Sequence, residues 1–286
     1  MLKPNKDKTV IITGASGGIG KIIAFEFAKK GYKLILISRN LKKLKKTQNE
    51  IKTIASNCKI FSLNVTDYPK IKEVFKNNLI KGYYVLINAA GVIKPIGPFE
   101  NNNITEWTEC IRTNLMGTAN IIHAALPYMD HPNGGTIINF SGGGAFYSRP
   151  NFTAYSTSKS AIVRFTESLA SELSIKNIRV HAVSPGAINT KLFTDMLEAG
   201  QKNINKNDWK NLQKQKETGG ENPKITAELC LWLDSPASKP LTGKGISAIY
   251  DKWKSWTKIK IKFLVKNSWY SMRRIDPYTI DRLPKI

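Results

Sequence analysis

Four glycines in seven residues, Gly14, Gly17, Gly18 and Gly20, separate a short β-rich apolar run, Thr9 to Thr13, from a segment with helical periodicity. Ile19, Ile22, Ile23 and Phe27 share one side of that segment, with Ala28 at its margin, and Gly31 reads as its C-terminal stop. Glycine admits dihedrals closed to other residues and lets main chain approach a ligand closely, while a helix start offers free N–H groups to an anion. A glycine turn placed between strand and helix therefore predicts a dinucleotide site with the pyrophosphate over the helix N-terminus. The spacing is Gly14-x-x-Gly17-x-x-Gly20 with Gly18 added, not the strict GxGxxG, and a tight turn without a ligand is the plainer alternative.

The same alternation continues along the chain. Further buried-strand patterns occur at 34–37, 59–63, 84–87, 136–140, 179–183 and 245–249, and helical patterns at 41–55, 104–129 and 153–176. Strand runs separated by helices rather than by hairpin turns predict βαβ units. The expected fold is α/β, a doubly wound, mostly parallel sheet of about seven strands with helices on both faces. Residues 1–250 read as one catalytic domain, with a polar, Lys- and Asn-rich stretch at 188–224 as a mobile helical insertion over the C-terminal edge of the sheet. Residues 251–286 carry Trp253, Trp256, Phe263 and Trp269 among many cations. Lysine alternates with apolar residues from Lys258 to Phe263, which predicts a β extension or irregular arm, packed on the domain or on a partner subunit, rather than an amphipathic helix.

Composition excludes some classes. Hydrophobic residues make up 41% and charged residues 23% of 286, the balance of a folded chain. No apolar run reaches the roughly 20 residues of a membrane span, and the polar start, Met1 to Lys8, lacks an apolar leader. Cys58, Cys110 and Cys230 have neither CxxC nor metal-ligand spacing and read as reduced core thiols, which together predict a cytoplasmic protein. His123, His131 and His181 do not cluster, so no metal site is expected. Trp107 and Trp232 read as helix-packing residues. The net charge of +23 fits a nucleic-acid partner, a membrane surface or an anionic substrate. Its scatter among Asn and Ile equally fits solvated surface, and neither a specific nucleic-acid partner nor more than weak surface association is expected.

The second strand ends in Ile37-Ser38-Arg39-Asn40. A carboxylate there would bind the ribose hydroxyls of NAD; Arg39 instead offers a planar cationic fork to a 2′-phosphate, which favours NADP(H), unless Arg39 is simply solvated. Asp67 is placed either to touch adenine or to cap a helix. Further on, Tyr155 and Lys159 lie four apart in a helical pattern, so both can face one cleft. Carbonyl reduction needs a proton donor at oxygen, and a phenol becomes useful when a neighbouring cation eases its ionisation.

These motifs, in this order, resemble the short-chain dehydrogenase/reductase family over about residues 8–250. Thr13 to Gly20 resembles its cofactor glycine motif, Asn88-Ala89-Ala90-Gly91 its Asn-Asn-Ala-Gly segment, Asn114 its proton-relay asparagine, and Tyr155 with Lys159 its catalytic pair. Pro185-Gly186-Ala187 with Thr190 resembles the segment at the nicotinamide carboxamide. The resemblance implies cofactor contacts from Gly14, Ser16, Gly17, Gly18, Ile19, Gly20, Arg39, Asp67, Asn88, Ala89, Gly91, Tyr155, Lys159, Pro185, Gly186 and Thr190. Tyr155 would act as acid in reduction and base in oxidation. Lys159 would hold the nicotinamide ribose and lower the tyrosine pKa, and Asn114 would support a relay water.

One departure stands out. The family's substrate-orienting serine, thirteen residues before the tyrosine, is Gly142 here, and only Ser141 remains of the usual pair. Either Ser141, Ser148 or a backbone N–H supplies that donor, or carbonyl chemistry is inefficient. The expected activity is NADP(H)-dependent hydride transfer to or from a carbonyl or secondary alcohol of a small, anionic or carrier-linked substrate, in a homodimer or homotetramer. A nicotinamide-retaining epimerase or dehydratase, and a catalytically weak NADP(H)-binding regulatory protein, are the alternatives. Ile162, Val163, Phe165 and Leu169 suit either a subunit interface or the core.

Overall fold

The computed structural model describes residues 7–55, 57–267 and 269–273. The strands are β1 (Thr9–Thr13), β2 (Lys33–Ser38), β3 (Cys58–Ser62), β4 (Tyr84–Asn88), β5 (Gly135–Phe140), β6 (Ile178–Ser184) and β7 (Lys244–Ser247). All pair in parallel, in the order β3-β2-β1-β4-β5-β6-β7. The helices are α1 (Gly18–Lys29), α2 (Leu41–Lys52), α3 (Tyr68–Asn78), α4 (Ile104–Ile111), α5 (Gly117–Ala125), α6 (Thr153–Glu172), α7 (Lys191–Ala199), α8 (Lys206–Thr218), α9 (Pro223–Asp234) and α10 (Lys258–Lys266).

Period-two alternation divides the strand side chains between two cores. Val10 and Ile12 of β1 pack with Ile23 and Phe27 of α1 and Leu229 and Leu233 of α9. Ile11 packs on the other face with Ile71 and Phe75 of α3 and Ile121 of α5. This is the predicted doubly wound sheet. Strand order reverses beside β1, whose neighbours are β2 and β4, and a crevice opens at such a reversal beyond the carboxyl ends of the strands.

Two expectations change and one open alternative is decided. The helix expected over 104–129 is broken into α4, a π-helical turn at Arg112–Met116, α5 and a 3-10 turn. The arm expected at Lys258 to Phe263 is α10. Thr257 caps it by accepting from the Lys260 N–H at 3.2 Å. Ile261 and Leu264, three apart and wholly buried, anchor it, while the lysines extend outward; Lys260 lies over the Phe263 ring, 5.3 Å from its centre. Finally, Ile162, Val163 and Leu169 are buried within the chain itself, so they serve the core and leave only Phe165 partly exposed.

The described part of the segment after β7, through residue 273, folds back on its own chain; the rest of the expected 251–286 extension lies outside the described residues. The Gly245 N–H donates to the Tyr270 carbonyl at 2.8 Å, and Lys244 Nζ to the Asn267 carbonyl at 2.7 Å. Trp232 meets Trp253 and Trp256, with ring centres 5.7 and 5.9 Å apart. Near the start of β1, the fully buried carboxylate of Asp234 accepts from Tyr32, Tyr83, Thr136 and Lys8. The three cysteines are buried and free. No helix among the described residues is long and apolar enough to cross a membrane.

Candidate active site

Beyond the ends of β1 and β4 lies a cavity of about 920 Å³. Its floor is set by the glycine turn. Gly14 has φ +69°, and a Cβ there would stand 2.9 Å from the Ala90 nitrogen, so only glycine allows the two turns to touch. The Ala90 N–H donates to Thr13 Oγ1 at 3.1 Å, locking the turn after β4 to the end of β1. Ser16 and Ser38 hydroxyls meet at 2.6 Å and tie the glycine turn to the end of β2. No side chain caps α1, so its first N–H groups are left for a ligand.

The other half of the cavity is built on β5 and α6. Tyr155 and Lys159, one turn apart on α6, are both buried and both line the cavity. Lys159 Nζ donates to the Phe140 carbonyl at 2.8 Å and lies 5.6 Å from the centre of the Tyr155 ring. Burial holds the Lys159 ammonium down at about 8 and pushes the Tyr155 phenol up to about 12. The nearby cation that opposes the Tyr155 rise is Arg149. At the phenol, desolvation outweighs the lowering by Arg149.

Asn114 sits in the π-helical turn. Its Oδ1 accepts the Val92 N–H at 2.8 Å; its Nδ2 donates to the Val92 carbonyl and to Ser158 Oγ, both at 2.9 Å. The side chain thus clamps the segment after β4 to α6. Gly91 leaves room for this: a Cβ there would lie 3.2 Å from Asn114 Oδ1 and 3.6 Å from Lys159 Nζ.

The cavity brings together the residues singled out from the sequence except Asp67, Asn88 and Asn114. Asp67 is exposed and caps α3, accepting from the Lys70 N–H at 3.1 Å, the capping role that was one of its two expected roles. Asn88 is buried beneath the site, donating to Asn139 Oδ1 at 2.9 Å. Ser141 lines the cavity with a buried hydroxyl that has no partner among the described residues, whereas Ser148 is exposed outside it. Sequence reading missed Lys43, which lines the cavity with Arg39, and Arg149 and Asp208, whose pairing joins distant segments. Phe193, Met196 and Leu212, from α7 and α8, supply apolar wall.

Six cations line the cavity, Arg39, Lys43, Arg149, Lys159, Lys191 and Lys214, against the carboxylates of Asp208 and Glu221. A glycine-lined main chain, an uncapped helix start and this excess of positive charge fit a dinucleotide pyrophosphate.

The family model described as short chain dehydrogenase matches residues 8–201. A 3-oxoacyl-[acyl-carrier-protein] reductase of Thermotoga maritima is 31% identical over 242 residues, 84% of this chain and 95% of the relative. An uncharacterized oxidoreductase of Staphylococcus saprophyticus is 37% identical over 196 residues, 65% of this chain and 76% of the relative. Among solved structures, a short chain dehydrogenase of Salmonella enterica serovar Typhi superposes with a TM-score of 0.75 at 23% identity, covering 87% of this chain and 98% of that one. A putative short-chain alcohol dehydrogenase of Sinorhizobium meliloti gives 0.73 at 26%, covering 84% and 94%.

Proposed function

Because the chain belongs to the short-chain dehydrogenase/reductase family, whose chemistry is NAD(P)-dependent hydride transfer, we propose that it is an NADP(H)-dependent oxidoreductase acting on a carbonyl or secondary alcohol. The observation that carries this reading is one cavity joining the glycine turn and Arg39 to the Tyr155–Lys159 pair. Gly14 and Gly17 to Gly20 would hold the pyrophosphate, Arg39 and Lys43 the 2′-phosphate, and Ala89, Gly91, Pro185, Gly186 and Thr190 the nicotinamide half. The nicotinamide, when bound, supplies or accepts the hydride.

The chain's own residues manage the proton. With its pKa near 12, Tyr155 stays protonated in the neutral range and is in the form that can donate to a carbonyl oxygen. Lys159, mostly charged below about pH 8, places a cation beside that oxygen. Ser141 is the side-chain hydroxyl best placed to take over the donor role that Gly142 cannot fill. Asn114 positions rather than donates, by fixing the spacing of α6 from the turn after β4. The expected setting is a homo-oligomer in the cytoplasm.

NADPH and NADH binding, followed by fluorescence, and NADPH oxidation against a panel of aldehydes, ketones and oxo acids test this reading. Tighter binding of NADPH, reversed in Arg39→Asp, with turnover on at least one carbonyl class, is the expected result. Tight cofactor binding without turnover would move the protein to a regulatory role.

A further inference from the structure

Arg149 lies in the loop between β5 and α6 and is the single Lys or Arg between Arg112 and Lys159, in a chain that carries 44 of them. Its side chain is only 14% exposed and lines the cavity that holds Tyr155. Nε donates to Asp208 Oδ2 at 3.0 Å, and the guanidinium carbon lies 3.9 Å from the centre of the fully buried Phe152 ring. These two contacts fix the plane of the group and leave its outer edge spare. Nη2 has only Met196 Sδ, a weak acceptor, at 3.5 Å. Nη1 lies on the Gly143 side, 3.6 Å from where a Cβ on that residue would stand, and has no acceptor among the described residues.

A guanidinium keeps its charge in a protein, and the N–H groups of its terminal edge are strong donors that an oxygen acceptor entering the cavity can take up. The same chain shows the structural alternative. Arg179, the more deeply buried of the two, has both terminal nitrogens on hydroxyl oxygens, Ser238 Oγ at 2.6 Å and Thr136 Oγ1 at 3.2 Å. Arg149 lacks that closure at its terminal edge, and the terminal edge of a guanidinium matches a carboxylate through two parallel N–H···O bonds. Asp208 pairs with Arg149 and Asp195 with Lys191, which leaves Arg39, Lys43, Lys159 and Lys214 against Glu221 in the cavity. Ile93, Phe193 and Leu212 give the same space apolar walls suited to a short carbon chain.

We propose that Arg149 binds a carboxylate of the substrate, so that the compound presented to Tyr155 is an oxo acid or hydroxy acid rather than a neutral carbonyl. The inference rests on reading the cavity as the carbonyl site, and its test is chosen to be independent of hydride transfer.

Calorimetric titration of the protein, with and without saturating NADP+, compares hexanoate with hexanamide, a neutral analogue of the same length. Hexanoate is expected to bind at least about tenfold more tightly, consistent with a charge-assisted bidentate pair. Arg149→Met brings hexanoate to the level of hexanamide and leaves hexanamide unchanged, and Arg149→Lys restores part of the difference. The wild-type comparison needs no variant to fold. Equal affinities in the wild type, undetectable hexanoate binding, or a preference that survives in Arg149→Met each overturn the proposal. Failure of the oxidoreductase reading would look different: carboxylate selectivity would persist while no carbonyl compound consumed NADPH.

Discussion

The hydroxyl of Tyr155 occupies the space that a Cβ on residue 142 would need, and glycine stands at that position. The loss of the usual serine is therefore coupled to where the phenol sits: the ring reaches the main chain after β5 because no side chain intervenes. Gly142→Ala should displace the Tyr155 hydroxyl and lower kcat by about tenfold or more, since displacements near 1 Å at a reacting group cost up to about 100-fold. NADPH affinity should stay within about twofold, because residue 142 does not build the glycine turn. Steady-state kinetics beside cofactor titration separates the two effects.

The pH dependence follows from opposite shifts on α6. Burial keeps Tyr155 protonated to about 12 and lets Lys159 lose its charge above about 8. Reductive kcat/KM should be level below about pH 8 and fall above it, whereas oxidation, which needs the phenolate, should gain as pH rises. A reductive limb that rises through pH 8 would contradict this assignment.

The same lysine carries a stability cost with a defined sign. Its folded pKa lies below the unfolded value of about 10.4, so between about pH 8 and 10.4 the unfolded chain binds more protons and stability rises with pH. Below about pH 8 the cost of the buried charge is present in full. Lys159→Met should abolish turnover yet raise stability near pH 7 by about 1–4 kcal/mol, with the gain shrinking toward pH 10. Thermal melts of both proteins across that range check it.

Most strands were legible because a parallel sheet buries both faces, so β1, β2 and β4 appear as short uninterrupted apolar runs, while β5 and β6 keep apolar stretches broken by Asn139 and by Arg179 and His181. Helix boundaries were less legible. The apolar pattern from 104 onward is continuous, and the π-helical turn that breaks it is tied to the tertiary bonds Asn114 makes to Val92 and Ser158. In α10 only Ile261 and Leu264 are fully buried, too few to outweigh the lysine alternation in the sequence. At the site, the glycine turn and the Tyr155–Lys159 pair are local patterns and could be read directly. Arg149 is not, because its meaning depends on Asp208, 59 residues away. Its isolation in a cation-poor stretch of a cation-rich chain was the available signal.

Stability at the opposite end of the sheet rests on Asp234. Its carboxylate accepts from Tyr32 and Tyr83 at 2.6 Å, Thr136 at 2.8 Å and Lys8 at 2.8 Å. Asp234→Ala strands these donors and should cost about 3–5 kcal/mol, lowering Tm by roughly 10 °C. Because the residue lies outside the cavity, NADPH affinity of the folded protein should be unchanged.

The most direct test of the account is transfer of deuterium from NADPH labelled at nicotinamide C4 to the carbonyl carbon of an oxo acid, read by mass spectrometry, in the wild type and Tyr155→Phe. The account predicts labelled hydroxy acid from the wild type and a loss of at least about 100-fold in the variant, with NADPH still bound. Product without label, or labelling undiminished in Tyr155→Phe, would contradict it.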